Sequence, residues 1–396
     1  MQGLMQDYPL TVSHIFHRAE KLFRRKRVIT STAAGIDRMT YEQWADRTRR
    51  LGGALDDLGI SEAGRVGTFA WNTGRHLELY FAAPCTGRIL HTLNIRLFPE
   101  QLAFVVNHGE DEVIFVDRSL IGLLWPLVER LETVRTFVVM DDGKGDIPDD
   151  DRIVDYETLI QAAAPVDFVV SDENRAAAMC YTSGTTGDPK GVVYSHRSTF
   201  LHSMSVNSAG SVGVTETDVV MPVVPMFHAN AWGLPYAATL AGADIVMPGP
   251  DLSPQHLVDL IEQERVTITA GVPTIWMGML PLLEGRDLSC LRTVTCGGSA
   301  VPKALSEGFR KAIGLPILQG WGMTETSPVA SLAVVTSEFS QRSDDELADL
   351  RAKQGLPQPG VDVRIVESST LKELPWDGET FGELQVRGPF IAASYY

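Results

Sequence analysis

The segment Tyr181-Thr182-Ser183-Gly184-Thr185-Thr186-Gly187-Asp188-Pro189-Lys190-Gly191 sets four Ser/Thr hydroxyls, three glycines and one lysine within eleven residues. Hydroxyls and unhindered backbone N–H groups are the donors that a polyphosphate needs. Glycine lets the chain curl so that several N–H groups converge on one anion, and Lys190 adds a point charge. The spacing is not that of a Walker A loop, whose lysine directly follows a glycine and opens a helix. Here Gly187 and Lys190 are three apart and Gly191–Ser195 reads as a strand. The expectation is a strand–loop–strand hairpin that grips phosphate through hydroxyls, N–H groups and lysine, without a helix dipole. The plain alternative for such a stretch is a flexible Ser/Thr/Gly connector.

A second chemistry-bearing stretch is Gln319-Gly320-Trp321-Gly322-Met323-Thr324-Glu325-Thr326-Ser327-Pro328, directly after a strand-like Leu315–Leu318. Two glycines around an aromatic expose its face for stacking. A threonine beside a glutamate offers a phosphate donor and a hard oxygen ligand for Mg²⁺; the plain alternative is a strand-end turn with a capping Thr–Glu. Gly297-Gly298-Ser299-Ala300 also follows a strand, and a strand-end Gly-Gly brings backbone close to a ligand, though a tight turn into the next helix has the same signature. Gly271-Val272-Pro273-Thr274 is a similar strand-end turn. Met226-Phe227-His228-Ala229-Asn230-Ala231-Trp232 packs aromatics around one histidine between Pro225 and Pro235, a pattern that plain core also produces.

Taken together, these segments resemble the motifs of the adenylate-forming superfamily, which includes acyl-CoA synthetases, luciferases and peptide-synthetase adenylation domains. Trp321 stands where the family motif usually has tyrosine; an indole stacks on adenine but has no hydroxyl to accept a hydrogen bond. The resemblance implies an ATP- and phosphate-binding set of Thr182, Ser183, Gly184, Thr185, Thr186, Gly187 and Lys190. It implies an adenylate-binding set of Gly298, Ser299, Ala300, Gln319, Gly320, Trp321, Gly322, Met323 and Thr324. Thr182 and Glu325 would hold Mg²⁺. Phe227, His228, Trp232, Gly271, Val272, Gly297 and Gly298 would line an acyl site, with His228 at its carboxylate end and Trp232 as its gate. Thr182, Lys190, His228, Thr324 and Glu325 are the catalytic candidates. Through Val223–Tyr236 the chain is most similar to the medium- and long-chain fatty-acyl-CoA synthetase branch. That implies activation of a fatty acid by ATP as an acyl-adenylate, with pyrophosphate release, then thioester formation with CoA.

The alternatives are an aryl-CoA ligase, a luciferase-like adenylate former, or a nucleotide- or acyl-adenylate-binding fragment without turnover. In the family, a ribose-binding aspartate, a hinge and a mobile C-terminal lid domain with a catalytic lysine follow the point where this sequence reaches Tyr396. The expectation is therefore a truncated chain that binds ATP and acyl-adenylate but turns over poorly.

The elements that must hold these segments read as α/β. Thr40 and Gln43 form a capping box, after which Trp44, Leu51, Leu55 and Leu58 share one helical face. Strand-like runs alternate with helical patterns at His76–Ala83, from Pro99 to about His108, and at Ser198–Val206, Gln255–Glu264 and Lys303–Ala312. Such alternation predicts large, mostly parallel sheets. The expected organisation is two packed α/β subdomains, 1–175 and 176–330, and a small β-rich unit at 331–396, where Val361–Glu367 and Gly382–Arg387 alternate apolar and polar residues.

Composition bounds the remaining classes. The 396 residues carry a net charge of −16, which argues against a nucleic-acid footprint. The four cysteines show no metal or disulfide spacing. Met1–Thr11 lacks the apolar core of a signal peptide. The most apolar stretch, Val219–Ala241, is interrupted by prolines, His228 and Asn230, which a bilayer span tolerates badly. The reading is a cytoplasmic protein, with peripheral membrane contact and homodimerisation left open.

Overall fold

The computed structural model describes residues 1–182 and 187–396, and among these the chain forms eighteen strands in three sheets. It opens with the helix Val12–Leu22 and an antiparallel pair, β1 (Arg27–Thr32) and β2 (Gly35–Thr40). Five strands follow, with helices between all but the last two: β3 (Arg65–Phe69), β4 (Ile89–Thr92), β5 (Asp111–Asp117), β6 (Thr136–Met140) and β7 (Ile153–Asp155). Then come β8 (Ala176–Tyr181) and β9 (Gly191–Ser195), the hairpin that carries the hydroxyl-rich loop. These seven form one sheet in the order β7-β6-β5-β3-β4-β8-β9, parallel throughout except for β8–β9.

The second sheet is built from β10 (Val219–Pro222), β11 (Asp244–Met247), β12 (Ile268–Gly271), β13 (Thr293–Cys296), β14 (Leu318–Gly322), β15 (Val329–Leu332) and β16 (Leu356–Pro357). Its nine-stranded order is β16-β15-β14-β13-β12-β10-β11-β1-β2, with a parallel centre from β14 to β1. Finally β17 (Asp362–Val366) and β18 (Glu383–Arg387) form a separate antiparallel pair. The mostly parallel α/β expectation holds.

Sheet membership departs from the expected boundaries. β8 and β9 lie past residue 175 yet complete the first sheet, with Leu90 opposite Ala178. β1 and β2 lie near the N-terminus yet pair into the second, with Val28 opposite Ile245. β15 and β16 extend the nine-stranded sheet, so only β17 and β18 make up the small β unit. The cause is tertiary: Val28 and Ile29 are fully buried and need a parallel neighbour, which β11 supplies.

The helices follow local rules more closely. Tyr41–Asp57 begins at the Thr40–Gln43 capping box and buries Trp44, Leu51 and Leu55. Gly74–Cys85 starts at Thr73, whose hydroxyl accepts from His76 N–H, and buries every residue but Arg75. A helix apolar on all sides must be sandwiched, and this one contacts β3, β4 and β8 of one sheet and β1 of the other. Among the described residues no helix is long and apolar enough to cross a membrane.

Candidate active site

The stem of the hydroxyl-rich loop is closed by two hydrogen bonds. Thr182 N–H donates to Lys190 O at 2.9 Å, and Lys190 N–H donates to Thr182 Oγ1 at 3.2 Å. Both residues continue the β8–β9 ladder one step past Tyr181 opposite Gly191, as the hairpin expectation requires. Ser183, Gly184, Thr185 and Thr186 lie outside the described residues. Gly187, Asp188 and Lys190 face the same cavity as Thr182, a hollow of about 440 Å³.

The opposite wall comes from the other sheet. β14 runs parallel to β13 and ends in Trp321 and Gly322, where the pairing with β15 shifts by a bulge. Bulges re-aim side chains next to sites. A Cβ on Gly322 would lie 1.7 Å from Pro328 O, so only glycine lets the chain fold back here. The turn Thr324–Thr326 then presents Thr324 and Glu325 to the cavity. One buried bond ties the two walls together: Tyr194 OH, on β9, donates to Thr324 O at 2.7 Å.

The floor is the His228–Gly233 segment, which adopts an uncommon conformation. Ala229, Asn230, Ala231 and Trp232 all have positive φ, from 43° to 57°, and Gly233 follows at 73°. L-residues avoid this left-handed region at a cost of about 1–2 kcal/mol each, so the surroundings must impose it. Asn72 clamps the approach: its side-chain amide donates to Pro222 O at 2.8 Å and Val224 O at 2.9 Å and accepts from Met226 N–H at 2.7 Å. Tyr80 OH donates to Met226 O. Gly233 sits against His202, whose Nδ1 would be 2.6 Å from any Cβ there. The left-handed turn directs Trp232 over the Gly297–Gly298 pair; a Cβ on Gly297 would be 3.2 Å from the indole and 2.7 Å from Gly320 O. Val272 borders the same spot, 3.6 Å from a Cβ built on Gly298.

His228 opens into the cavity. The packed surroundings desolvate its ring and Arg96 adds like-charge repulsion, so its pKa lies below the usual histidine value. At neutral pH it is an uncharged hydrogen-bonding group.

Thus Thr182, Gly187, Lys190, His228, Trp232, Gly297, Gly298, Gly320, Trp321, Gly322, Met323, Thr324 and Glu325 share one cavity. Several other candidates stand outside it. Gln319 is buried, but its side chain accepts from Val301 N–H at 3.1 Å and donates to Ala352 O and Lys353 O, which binds the strand to its neighbours. Gly271 makes room for the Trp276 ring, which would be 2.6 Å from a Cβ. Phe227 is buried under Arg96, and Ser299 and Ala300 are exposed beyond the strand end.

The sequence reading missed the apolar lining, Val206, Val212, Leu234 and Leu332, and it missed Tyr395. Val206 lies in the last turn of a helix with little apolar periodicity, Val212 follows that helix, and Tyr395 lies 70 residues beyond Glu325, so no local pattern marks them.

Oxygen donors for a metal are sparse but suitable. The Thr182 and Glu325 side chains line one cavity, and a hydroxyl with one carboxylate is the partial set expected when Mg²⁺ arrives with phosphates and keeps several waters. No cluster of three or more His, Cys, Asp or Glu residues exists among the described residues to hold a metal alone.

Residues 16–396 match the family model described as AMP-binding enzyme. The chain belongs to the AMP-binding enzyme family. Among its relatives is a long-chain-fatty-acid–CoA ligase of Thermus thermophilus, 44% identical over 99% of this chain and 71% of the relative. A 3-methylmercaptopropionyl-CoA ligase of Ruegeria lacuscaerulensis is 41% identical over 100% of this chain and 74% of the relative. The fold of this AMP-binding enzyme is that of a long-chain-fatty-acid-CoA ligase from Archaeoglobus fulgidus. The match has a TM-score of 0.83 at 22% identity, over 100% of this chain and 78% of that one.

Proposed function

We propose that the chain is an AMP-forming acid–CoA ligase acting on a fatty acid, with ATP and CoA as co-substrates. The observation that carries this reading is the convergence of three unlike walls on one cavity: a polar loop stem, a glycine-flanked indole and an apolar left-handed turn. An anionic nucleotide, a flat base and an apolar acid each find a matching wall there.

In the first half-reaction a carboxylate oxygen of the acid attacks the α-phosphorus of ATP. The bond to the bridging oxygen breaks, and pyrophosphate leaves with its electron pair. Two anions must meet, so the barrier is mainly electrostatic. At ~4 Å two unit charges interact by ~1 kcal/mol in water and ~4 kcal/mol at a protein-like dielectric. Lys190 and the loop hydroxyls offset that repulsion on the phosphate side. Trp321 stacks on the adenine, and Thr324 donates to the α-phosphate. Thr182 and Glu325 are the residues that would hold Mg²⁺, which when bound supplies further neutralisation of phosphate charge. His228, being neutral, orients the acid by a hydrogen bond without pairing its charge, which leaves the carboxylate nucleophilic. Trp232, over the glycine pair, closes the acyl side.

A second reading, a short acid such as methylmercaptopropionate, is favoured by the similar identity of the Ruegeria relative. The test is pyrophosphate release and thioester formation with a panel of linear acids of two to eighteen carbons, 3-methylmercaptopropionate and benzoate. Turnover that peaks at a medium or long chain supports the fatty acid. A peak at the thioether acid supports the second reading, and a benzoate optimum rejects both.

A further inference from the structure

We infer that Tyr395 is a positioning residue of the adenylation site, one that sets the Glu325 carboxylate and the Lys190 ammonium apart at the phosphate mouth. It rests on the reading above, in which those two groups serve Mg²⁺ and phosphate.

Three observations converge. The Tyr395 hydroxyl donates to Glu325 Oε1. The Lys190 ammonium lies over the Tyr395 ring, 4.9 Å from its centroid. All three side chains line the same cavity with Thr182, Trp321 and Thr324. One tyrosine therefore touches both loops that carry the chemistry, through a different part of its side chain for each. An aromatic face attracts a cation, and a phenol O–H donates to a carboxylate.

The backbone that carries Tyr395 is fastened to the same two loops. Ser327 Oγ donates to Phe390 O at 2.7 Å, and Ala392 N–H donates to Glu325 O at 2.8 Å. On the other side Tyr396 N–H donates to Gly191 O at 2.9 Å. Arg65 donates to Tyr396 OH at 3.2 Å, and the His108 ring meets the Tyr396 ring edge-on. A side chain held between anchors this close has little freedom, although Tyr395 itself is 46% exposed.

The physical need is clear. Lys190 and Glu325 are opposite charges on long side chains at the mouth of one cavity, and left alone they would pair with each other. Such a pair must be broken before phosphate and metal can bind. Among the described residues no ion pair joins them. A neutral ring between them gives each charge a weaker partner, one that holds its direction yet yields to a phosphate or a cation.

The experiment compares Tyr395→Phe, which keeps the ring and loses the donor, with Tyr395→Leu, which loses both. ATP binding is followed by calorimetry with and without Mg²⁺, and pyrophosphate release is titrated with Mg²⁺. For Tyr395→Phe the half-saturating Mg²⁺ rises about fivefold in both measurements, while ATP binding without Mg²⁺ stays as in the parent. Tyr395→Leu adds a loss of about threefold or more in metal-free ATP binding. Both variants keep the parent melting midpoint, which separates positioning from a general packing role. Parent-like Mg²⁺ dependence in Tyr395→Phe overturns the inference, as does an equal loss in both variants accompanied by a lowered midpoint. Glu325→Gln is the control for the underlying reading. If it keeps the parent Mg²⁺ dependence, the assignment of Glu325 fails and this inference fails with it. If it loses that dependence while Tyr395→Phe does not, only the role of Tyr395 is rejected.

Discussion

The polar and apolar ends of the cavity are built by opposite means. At the polar end Thr182, Lys190, Thr324 and Glu325 sit on relaxed loop stems, and their order comes from hydrogen bonds between neighbours such as Tyr194 to Thr324. At the apolar end the backbone is held left-handed through five successive residues, with His202 packed against Gly233 and with Asn72 and Tyr80 fastening the chain that leads into the turn. A polar end that must admit a charged nucleotide benefits from side chains that can exchange partners. An apolar end that must present one histidine and one indole at a fixed angle can be locked by packing, and the folded core sustains the strain.

Substitution at the polar end should therefore change chemistry and spare stability. Glu325→Gln and Lys190→Ala should each lower the rate of pyrophosphate release by about 10²- to 10³-fold, the scale for losing one preorganised electrostatic contact. Lys190 is exposed and Glu325 partly so, so urea unfolding midpoints should match the parent. A variant that loses activity and stability together would erase the distinction between the two ends.

The apolar end should respond the other way. Asn72→Ala leaves Pro222 O, Val224 O and Met226 N–H without their buried partner. Unpaired buried groups cost about 1–3 kcal/mol each; with some relaxation the expected loss is about 3 kcal/mol in urea unfolding. Asn72 is not among the cavity-lining residues. Any change in turnover should then track the stability loss and disappear when a stabilising osmolyte restores the fold.

The same contrast decides how much could be read before the fold was known. The polar end is written in two short contiguous segments, so its residues and its hairpin could be named from spacing. Local rules also located the Thr40 cap and the helix from Pro99, because capping and proline act within one turn. The apolar end was legible only at His228, Trp232, Gly297 and Gly298, and there through the family resemblance. Ala-Asn-Ala-Trp carries no left-handed signature beyond Asn230 and the following Gly233, and the conformation is imposed from Asn72 and His202, far away in sequence. The exchange of β1–β2 and β8–β9 between the expected subdomains is of the same kind, since periodicity reports that Val28 is buried but not against what. Gln319 shows the converse error: its place inside a motif suggested ligand contact, whereas its amide is spent on Val301, Ala352 and Lys353.

Acid should weaken the apolar end through one buried histidine. His202 is fully enclosed behind the left-handed turn and accepts from Val329 N–H at 3.3 Å; desolvation lowers its pKa from 6.5 to about 4. Between those values the unfolded chain holds a proton that the native state does not, so this group makes stability fall as pH drops through that window. The slope from one such group is about 1.4 kcal/mol per pH unit. Asp117, raised to about 7 by burial, opposes it, because there the native state holds the extra proton between 3.8 and 7. His202→Gln should flatten the pH dependence of urea stability between pH 6.5 and 4.5 by about one proton. An unchanged slope would mean that His202 titrates normally and the turn is not sealed behind it.

The smallest effect isolates the strain itself. Ala231 and Ala238 are both fully buried alanines of the same segment. Ala238 lies in the helix Leu234–Ala241, whereas Ala231 has φ 49°. Replacing either by glycine deletes a buried methyl and enlarges the entropy of the unfolded chain, and these penalties are similar at the two sites. Only at Ala231 does glycine also relieve a left-handed backbone, by about 1 kcal/mol or somewhat more. Ala231→Gly should therefore be less destabilising than Ala238→Gly by about 1 kcal/mol in parallel urea titrations. Equal losses would place the left-handed turn among relaxed structures, and the apolar end would then owe its fixed geometry to packing around an unstrained chain.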